Sequence, residues 1–205
     1  MKKTTARTRW SAQAWRAFAA SGLCMAMLTG TAEASMTVKG IQFADTDEVG
    51  SQSLQLNGAG VRVKVIFDVY AASLYLPQKQ STPQGVLSLP GAKSVQAVLL
   101  RDLSAQEFVD ALIKGYKANN SAADVERFQD ELGKLEALML AMKSAAKGSH
   151  LRIDLVPGIG TRIWLNGKRQ GSDIAGDEFY QSLLRIWLGP KPVDADLKSA
   201  LLGKP

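Results

Sequence analysis

Arg62 is the residue of this chain best placed by type and spacing to do chemistry. It is the second residue of a stretch in which Val61, Val63, Val65, Phe67 and Val69 alternate with Arg62, Lys64, Ile66 and Asp68. A period of two reads as a strand with one wholly apolar face, and Arg62 opens the opposite, mixed face. From that pattern alone it reads first as a surface or structural arginine. Turned inward, a guanidinium costs several kcal/mol unless an anion meets it. Its planar fork suits bidentate capture of a carboxylate, or of a phenoxide or enolate oxygen. Tyr70 shares the parity of Arg62 and can bring a hydroxyl to the same cavity.

Other site patterns are excluded. Gly58-Ala59-Gly60 has no third glycine, no following helix and no Lys-Ser/Thr, so it is neither a dinucleotide loop nor a P-loop. It reads as a tight turn feeding the strand at Val61. His150 is the single histidine, and no thiolates or clustered carboxylates stand beside it as metal ligands. Next to Gly148-Ser149, at a helix-to-strand turn, it is expected in solvent. No metal and no organic cofactor is implied.

The first residues read as an export signal. Lys2, Lys3, Arg7, Arg9 and Arg16 precede an apolar run from Ala17 to Leu28, and small residues end the segment at Thr31-Ala32-Glu33-Ala34. The run is shorter than the roughly 20 residues that span a bilayer. Cleavage after Ala34 is therefore expected, leaving one domain from 35 to 205 in the periplasm or outside the cell, with no transmembrane segment. Five of the 25 Lys and Arg and one of the 19 Asp and Glu precede that cut, so 20 basic residues face 18 acidic ones, a balance of +2. A nucleic-acid partner, which demands clustered basic residues, is not expected. Cys24, the one cysteine, lies in the discarded run behind Ser21-Gly22-Leu23, where Leu replaces the small residue of a lipoprotein signal. The remaining domain then has no disulfide and no thiolate. It is long enough to bury roughly two-thirds of its unfolded surface without a staple.

Strands that position Arg62 are expected at Thr37–Phe43 and Ser53–Asn57, around a polar turn over Ala44–Gly50, then at Val61–Val69, Ala71–Leu76 and Ser94–Leu100. Ser104 and Glu107 fit a capping box that opens a helix bearing Phe108, Leu112 and Tyr116. Asn119-Asn120 ends it, and Ser121 caps a second helix with Val125, Phe128, Leu132, Leu135, Met139 and Met142 along one core face. Leu151, Ile153 and Leu155 mark a further strand, Pro157–Gly160 a turn, Thr161–Leu165 a strand, and Asn166-Gly167 a hairpin. Asp177 starts a long helix that Gly189-Pro190 ends, with Gly189 as a left-handed cap. A short helix closes the chain from Asp194 to Leu202. Strands, helices, strands and helices in that order imply an α+β fold, a sheet with helices on one side.

Leu56–Arg62 followed by Val69–Leu76 resembles the signature hairpin of the chalcone isomerase family, and Phe179–Gly189 with Pro192 and Leu197-Lys198 resembles that family's C-terminal helix. The likeness runs from about Thr37 to Gly203 and is closest to the bacterial, signal-bearing chalcone isomerase-like proteins. It implies an open-faced β-sandwich, a large antiparallel sheet with helices layered on one face and a ligand cleft between. In the plant enzymes that cleft closes a chalcone into a flavanone, an arginine stabilising the oxyanions. The resemblance carries that arginine onto Arg62. It puts Tyr70 where the plant pattern has a threonine, Phe108 for a tyrosine, Gly115 for an asparagine and Ile186 for a threonine or serine.

Those exchanges remove positioned donors and keep the cation. Such acid–base and oxyanion contacts are each worth a factor of about 100 to 1000, so little catalysis is expected to survive. An apolar cleft with one arginine suits a small apolar carboxylate such as a fatty acid, which non-catalytic members of the family bind through the same arginine. The expectation is an exported, non-catalytic binder of a fatty-acid-like or flavonoid-like anion, with Arg62 as anchor and Tyr70 assisting. The alternative is an isomerase or intramolecular lyase of the chalcone-flavanone type, dependent on Arg62. A third reading is an envelope structural protein whose cleft is filled by side chains such as Phe108 and Ile186.

Overall fold

The computed structural model describes residues 35–204. The expected export signal, 1–34, lies outside them. Along the chain come β1 (Ser35–Val38), β2 (Ile41–Ala44), β3 (Thr46–Val49), β4 (Gln52–Lys64), β5 (Phe67–Leu76), α1 (Pro83–Ser88) and β6 (Lys93–Leu99). Then follow β7 (Leu103–Ser104), α2 (Ala105–Asn119), α3 (Ala122–Arg127), α4 (Gln129–Ala141), β8 (Ser144–Ala145) and β9 (His150–Val156). The last are β10 (Gly160–Leu165), β11 (Lys168–Ala175), α5 (Asp177–Leu188) and α6 (Ala195–Leu201).

One antiparallel sheet of seven strands, ordered β11-β10-β9-β6-β5-β4-β3, organises the α+β fold. Helices cover one face, where the larger apolar cluster lies, and the β1–β2 hairpin packs against the smaller cluster on the other. β5 is buried on both faces: Tyr70, Ala72, Leu74 and Leu76 point to the helices, Ala71 and Tyr75 away from them. The sheet curls. Arg152 of β9 reaches Asp47 of edge strand β3 at 2.8 Å, four strands further on, where a flat sheet would hold them ~19 Å apart.

Several elements match their sequence signals. Ser104 and Glu107 form the complete capping box of α2, β5 stops at Leu76 before Pro77, and Asn166-Gly167 turns β10 into β11 with φ of 51° and 75°. α5 is buried on nearly every side, anchored by the Tyr180 hydroxyl donating to the Ile153 carbonyl.

Others differ. Thr37–Phe43 is two strands, folded at Lys39-Gly40. The polar turn expected over Ala44–Gly50 contains β3, whose Asp47 and Glu48 hid it because the residues that bind it to the sheet are polar. The helix expected from Ser121 to Met142 breaks at Phe128, whose φ of −106° and ψ of 21° are not helical. Gly189 is not left-handed, its φ being −71°. It lacks a Cβ because one would lie 2.3 Å from the Asn119 side-chain oxygen.

The largest differences fall on β4. Gly58-Ala59-Gly60 is not a turn but mid-strand, and Val61–Val69 is not one strand. β4 ends at Lys64, Val65-Ile66 make a two-residue loop, and β5 returns. Of the apolar face expected to pack, Val69 is buried in the core, but Val63, Val65 and Phe67 stand at the hairpin tip, where Val65 is 89% exposed. At the other end of β4 the β4–β5 register slips by one residue between Leu56 and Gly58, leaving Asn57 as an unpaired bulge. Leu54 and Leu56 belong to the outer cluster, and strict alternation would keep 58, 60 and 62 with them. The bulge instead turns Gly58, Gly60 and Arg62 toward the helices, opposite Leu74, Ala72 and Tyr70.

The bulge is held by the Asn57 side chain, which donates to the carbonyls of Leu201 at 2.7 Å and Gln80 at 3.0 Å and accepts from the Gln80 amide at 2.7 Å. α6 lies on the two glycines: a Cβ at Gly58 would sit 2.0 Å from the Ala200 carbonyl oxygen, and one at Gly60 2.6 Å from the Ala200 Cβ.

Asn57→Ala, which orphans these buried groups, is expected to cost about 2–4 kcal/mol in chemical denaturation and to speed amide exchange in α6; unchanged stability would remove the bulge lock from the account. Val65→Gly is expected to stabilise the protein by about 1 kcal/mol, because Val65 holds φ of 62°, a region costly for a β-branched residue. A loss of stability instead would show that the Val65 side chain makes a contact that outweighs its backbone strain.

Candidate functional site

Arg62, now on the helix face, stands at one wall of a groove of about 560 Å³ between β4, α2 and the loop that joins α5 to α6. Directly opposite it in the sheet is Tyr70. The Arg62 guanidinium carbon lies 5.5 Å from the Tyr70 ring centroid, within cation–π range. The Tyr70 hydroxyl accepts a hydrogen bond from the Trp187 indole at 2.9 Å. Burial raises the Tyr70 pKa, and the nearby positive charge of Arg62 offsets part of that rise. With 3% of its surface exposed, Tyr70 is a floor for the arginine rather than a surface of the groove.

The state of Arg62 contrasts with that of other half-buried arginines on the same sheet. Arg152 takes both carboxylate oxygens of Asp154 and reaches Asp47. Arg162 makes two hydrogen bonds to Asp173, at 2.9 and 2.7 Å. Arg62 has no ion pair among the described residues, and its buried Nε has no hydrogen-bond partner. The carboxylate that lies toward it is engaged elsewhere. Asp194 caps α6 by accepting from the Asp196 and Leu197 amides, and its other oxygen accepts from the Val63 amide at 2.8 Å.

Four more bases line the groove: Lys64, Arg101, Lys114 and Lys191, against Glu107 and Asp110. Sequence reasoning missed them. They come from β4, the β6–β7 loop, α2 and the α5–α6 loop, and no local spacing joins such positions. Glu107 serves the capping box, where the Ser104 backbone and hydroxyl hold its carboxyl below the usual range.

The remaining residues singled out from the sequence separate into two groups. Phe108 and Gly115 line the groove. Phe108 and Leu103 also line a neighbouring apolar seam of about 30 Å³ with Met139, Met142 and Leu151. Ile186 is 2% exposed and lies under Gly115, where a Cβ would meet its Cγ2 at 3.1 Å. Gly115 and Ile186 thus close a helix–helix contact between α2 and α5. His150 is half-buried rather than in solvent, bonded to the Gln96 side chain at 3.0 Å, and burial lowers its pKa. Among the described residues no group of three or more His, Cys, Asp or Glu side chains is arranged to hold a metal ion.

Tyr70→Phe is expected to leave the Trp187 indole donor buried and unpaired, at a cost of about 1–3 kcal/mol, while keeping the ring under Arg62. Thermal or chemical denaturation reads the loss. No loss would mean that water or another group satisfies Trp187.

Residues 35–203 match the family described as chalcone isomerase-like. No curated protein matches the chain. The structure is similar to the crystal structure of a fatty-acid binding protein of Arabidopsis thaliana, with a TM-score of 0.65 and 15% identity, over 82% of this chain and 96% of that one. At that identity the likeness is one of fold.

Proposed function

Because this chain belongs to the chalcone isomerase-like family, we propose that its groove holds a small apolar carboxylate such as a fatty acid, without turnover. The observation that carries this reading is the unpaired Arg62, a guanidinium with a buried, unsatisfied Nε in a groove where five basic side chains face two acidic ones. A bound carboxylate supplies the missing anion and acceptor in one group. Tyr70 keeps the guanidinium in place from below. The fatty-acid binding neighbour, similar in fold, is consistent with such a ligand.

The apolar part of the ligand has a path. Phe108 and Leu103 belong to both the groove and the apolar seam, so an alkyl chain running from Arg62 past Phe108 enters that seam. At about 30 Å³ the seam holds no alkyl chain as it stands. Met139 and Met142 on its wall are unbranched and adaptable, and they give way at small cost.

The chemistry of an isomerase is less well served. Phe108, Gly115 and Ile186 offer no side-chain donor, and Tyr70 is buried beneath Arg62 rather than lining the groove. Export is part of the proposal and rests on the basic and apolar pattern of residues 1–34, which lie outside the family match.

Native mass spectrometry of the protein purified without detergent, beside Arg62→Ala, tests the reading. A bound mass of a few hundred daltons is expected in the first and not in the second, with affinity for an added fatty acid falling by at least about 30-fold. Freed of ligand, the two should unfold at similar midpoints, since Arg62 has no ion pair among the described residues and the variant loses only its contact with the Tyr70 ring. Undiminished binding by Arg62→Ala, or Arg62-dependent turnover of a chalcone, would overturn it.

A further inference from the structure

The hairpin tip between β4 and β5 has apolar residues where a turn needs none. Val65 and Ile66 are 89% and 79% exposed, flanked by Phe67 at 56% and Val63 at 43%. The loop is two residues long, and its first residue has positive φ, a position that glycine usually fills. A valine there is strained, and its side chain contacts solvent. Backbone strain at an exposed apolar residue is the kind of outlier from which a function is inferred.

The surroundings of the tip are basic. Arg101 stacks on the Phe67 ring at 5.6 Å, and Lys64 immediately precedes the loop. Both line the groove together with Arg62, so the cationic mouth of the groove adjoins the apolar tip. Asp68, the acid nearest in sequence, is neutralised by Lys39 at 2.9 Å. An apolar apex with bases set behind it is the arrangement that enters an anionic bilayer surface, its apolar groups ~5–10 Å into the headgroup boundary and its bases at the phosphates.

We propose that the Val65-Ile66 tip docks this protein on membranes rich in anionic phospholipid. A second copy of the chain is a poorer fit, because two such tips would bring their bases together. Docking by the tip sets the mouth of the groove at headgroup level, where an acyl carboxylate lies. The tip inference stands on its own observations and holds whatever the groove binds.

The test uses the processed chain, residues 35–205, which has no native cysteine, with one new cysteine carrying an environment-sensitive fluorophore, either Ile66→Cys at the tip or Ile159→Cys. Ile159 is 48% exposed in the β9–β10 turn, at the opposite end of the sheet. With vesicles of phosphatidylglycerol and phosphatidylethanolamine, a blue shift and quenching by spin-labelled lipid are expected at Ile66 and not at Ile159. Neutral phosphatidylcholine vesicles should give neither, and salt should weaken the response. Adding Val65→Asp should reduce vesicle partition at least about tenfold, and Val65→Gly should reduce it with the fold intact. Equal responses from both labels, an equal response to neutral vesicles, or a shift at Ile66 that grows with protein concentration without vesicles would each overturn the proposal. Arg62→Ala that loses its ligand but keeps the tip response separates this inference from the reading of the groove.

Discussion

One extra residue in one strand decides which side of the sheet Arg62 occupies. The bulge at Asn57 shifts β4 against β5, and with a side-chain period of two a single-residue shift exchanges the faces of everything beyond it. Leu54 and Leu56 then serve the outer cluster, while Gly58, Gly60 and Arg62 serve the inner one. α6 depends on the same event, because only glycines facing inward let its backbone approach β4 closely. The Asn57 side chain closes the loop of dependence by bonding to the carbonyl of Leu201 in α6. The position of the groove follows, since the loop that leads into α6 builds one wall.

The sheet treats its arginines unequally. On the outer face Arg152 is surrounded by Asp154, Asp47 and the Glu48 carbonyl, and it ties the curl of the sheet together. Trp164 donates to Asp154, and Gln96 links Asp47 to His150, so that network is satisfied from within. Arg62 on the inner face has an aromatic floor and an unsatisfied Nε. Desolvating a guanidinium partway without an anion is unfavourable.

The exposed hairpin tip and the groove meet at shared residues, Lys64 and Arg101. Strand propensity explains how valines come to be there, but not why they remain where no described residue covers them. The strain at Val65 is the sharper observation, because glycine would relieve it at that position.

Local signals were legible in the sequence wherever the interaction itself is local. The Ser104–Glu107 box, the Asn166-Gly167 turn and the stop of β5 before Pro77 all involve residues within a few positions of each other. The family signature about Arg62, the α+β class and the antiparallel sheet under helices were legible for the same reason, as motifs and their order. The alternation from Val61 to Val69 misled because a two-residue hairpin preserves a period of two while reversing the chain. The bulge at Asn57 has no local signal, since its partners are Gln80 and Leu201. The sequence by itself thus determined the family, the α+β class and the elements with local signals, and it put Arg62 on a strand. Tertiary structure alone decided the face on which that arginine stands and the bases that join it, because long-range register, not spacing along the chain, brings those side chains together.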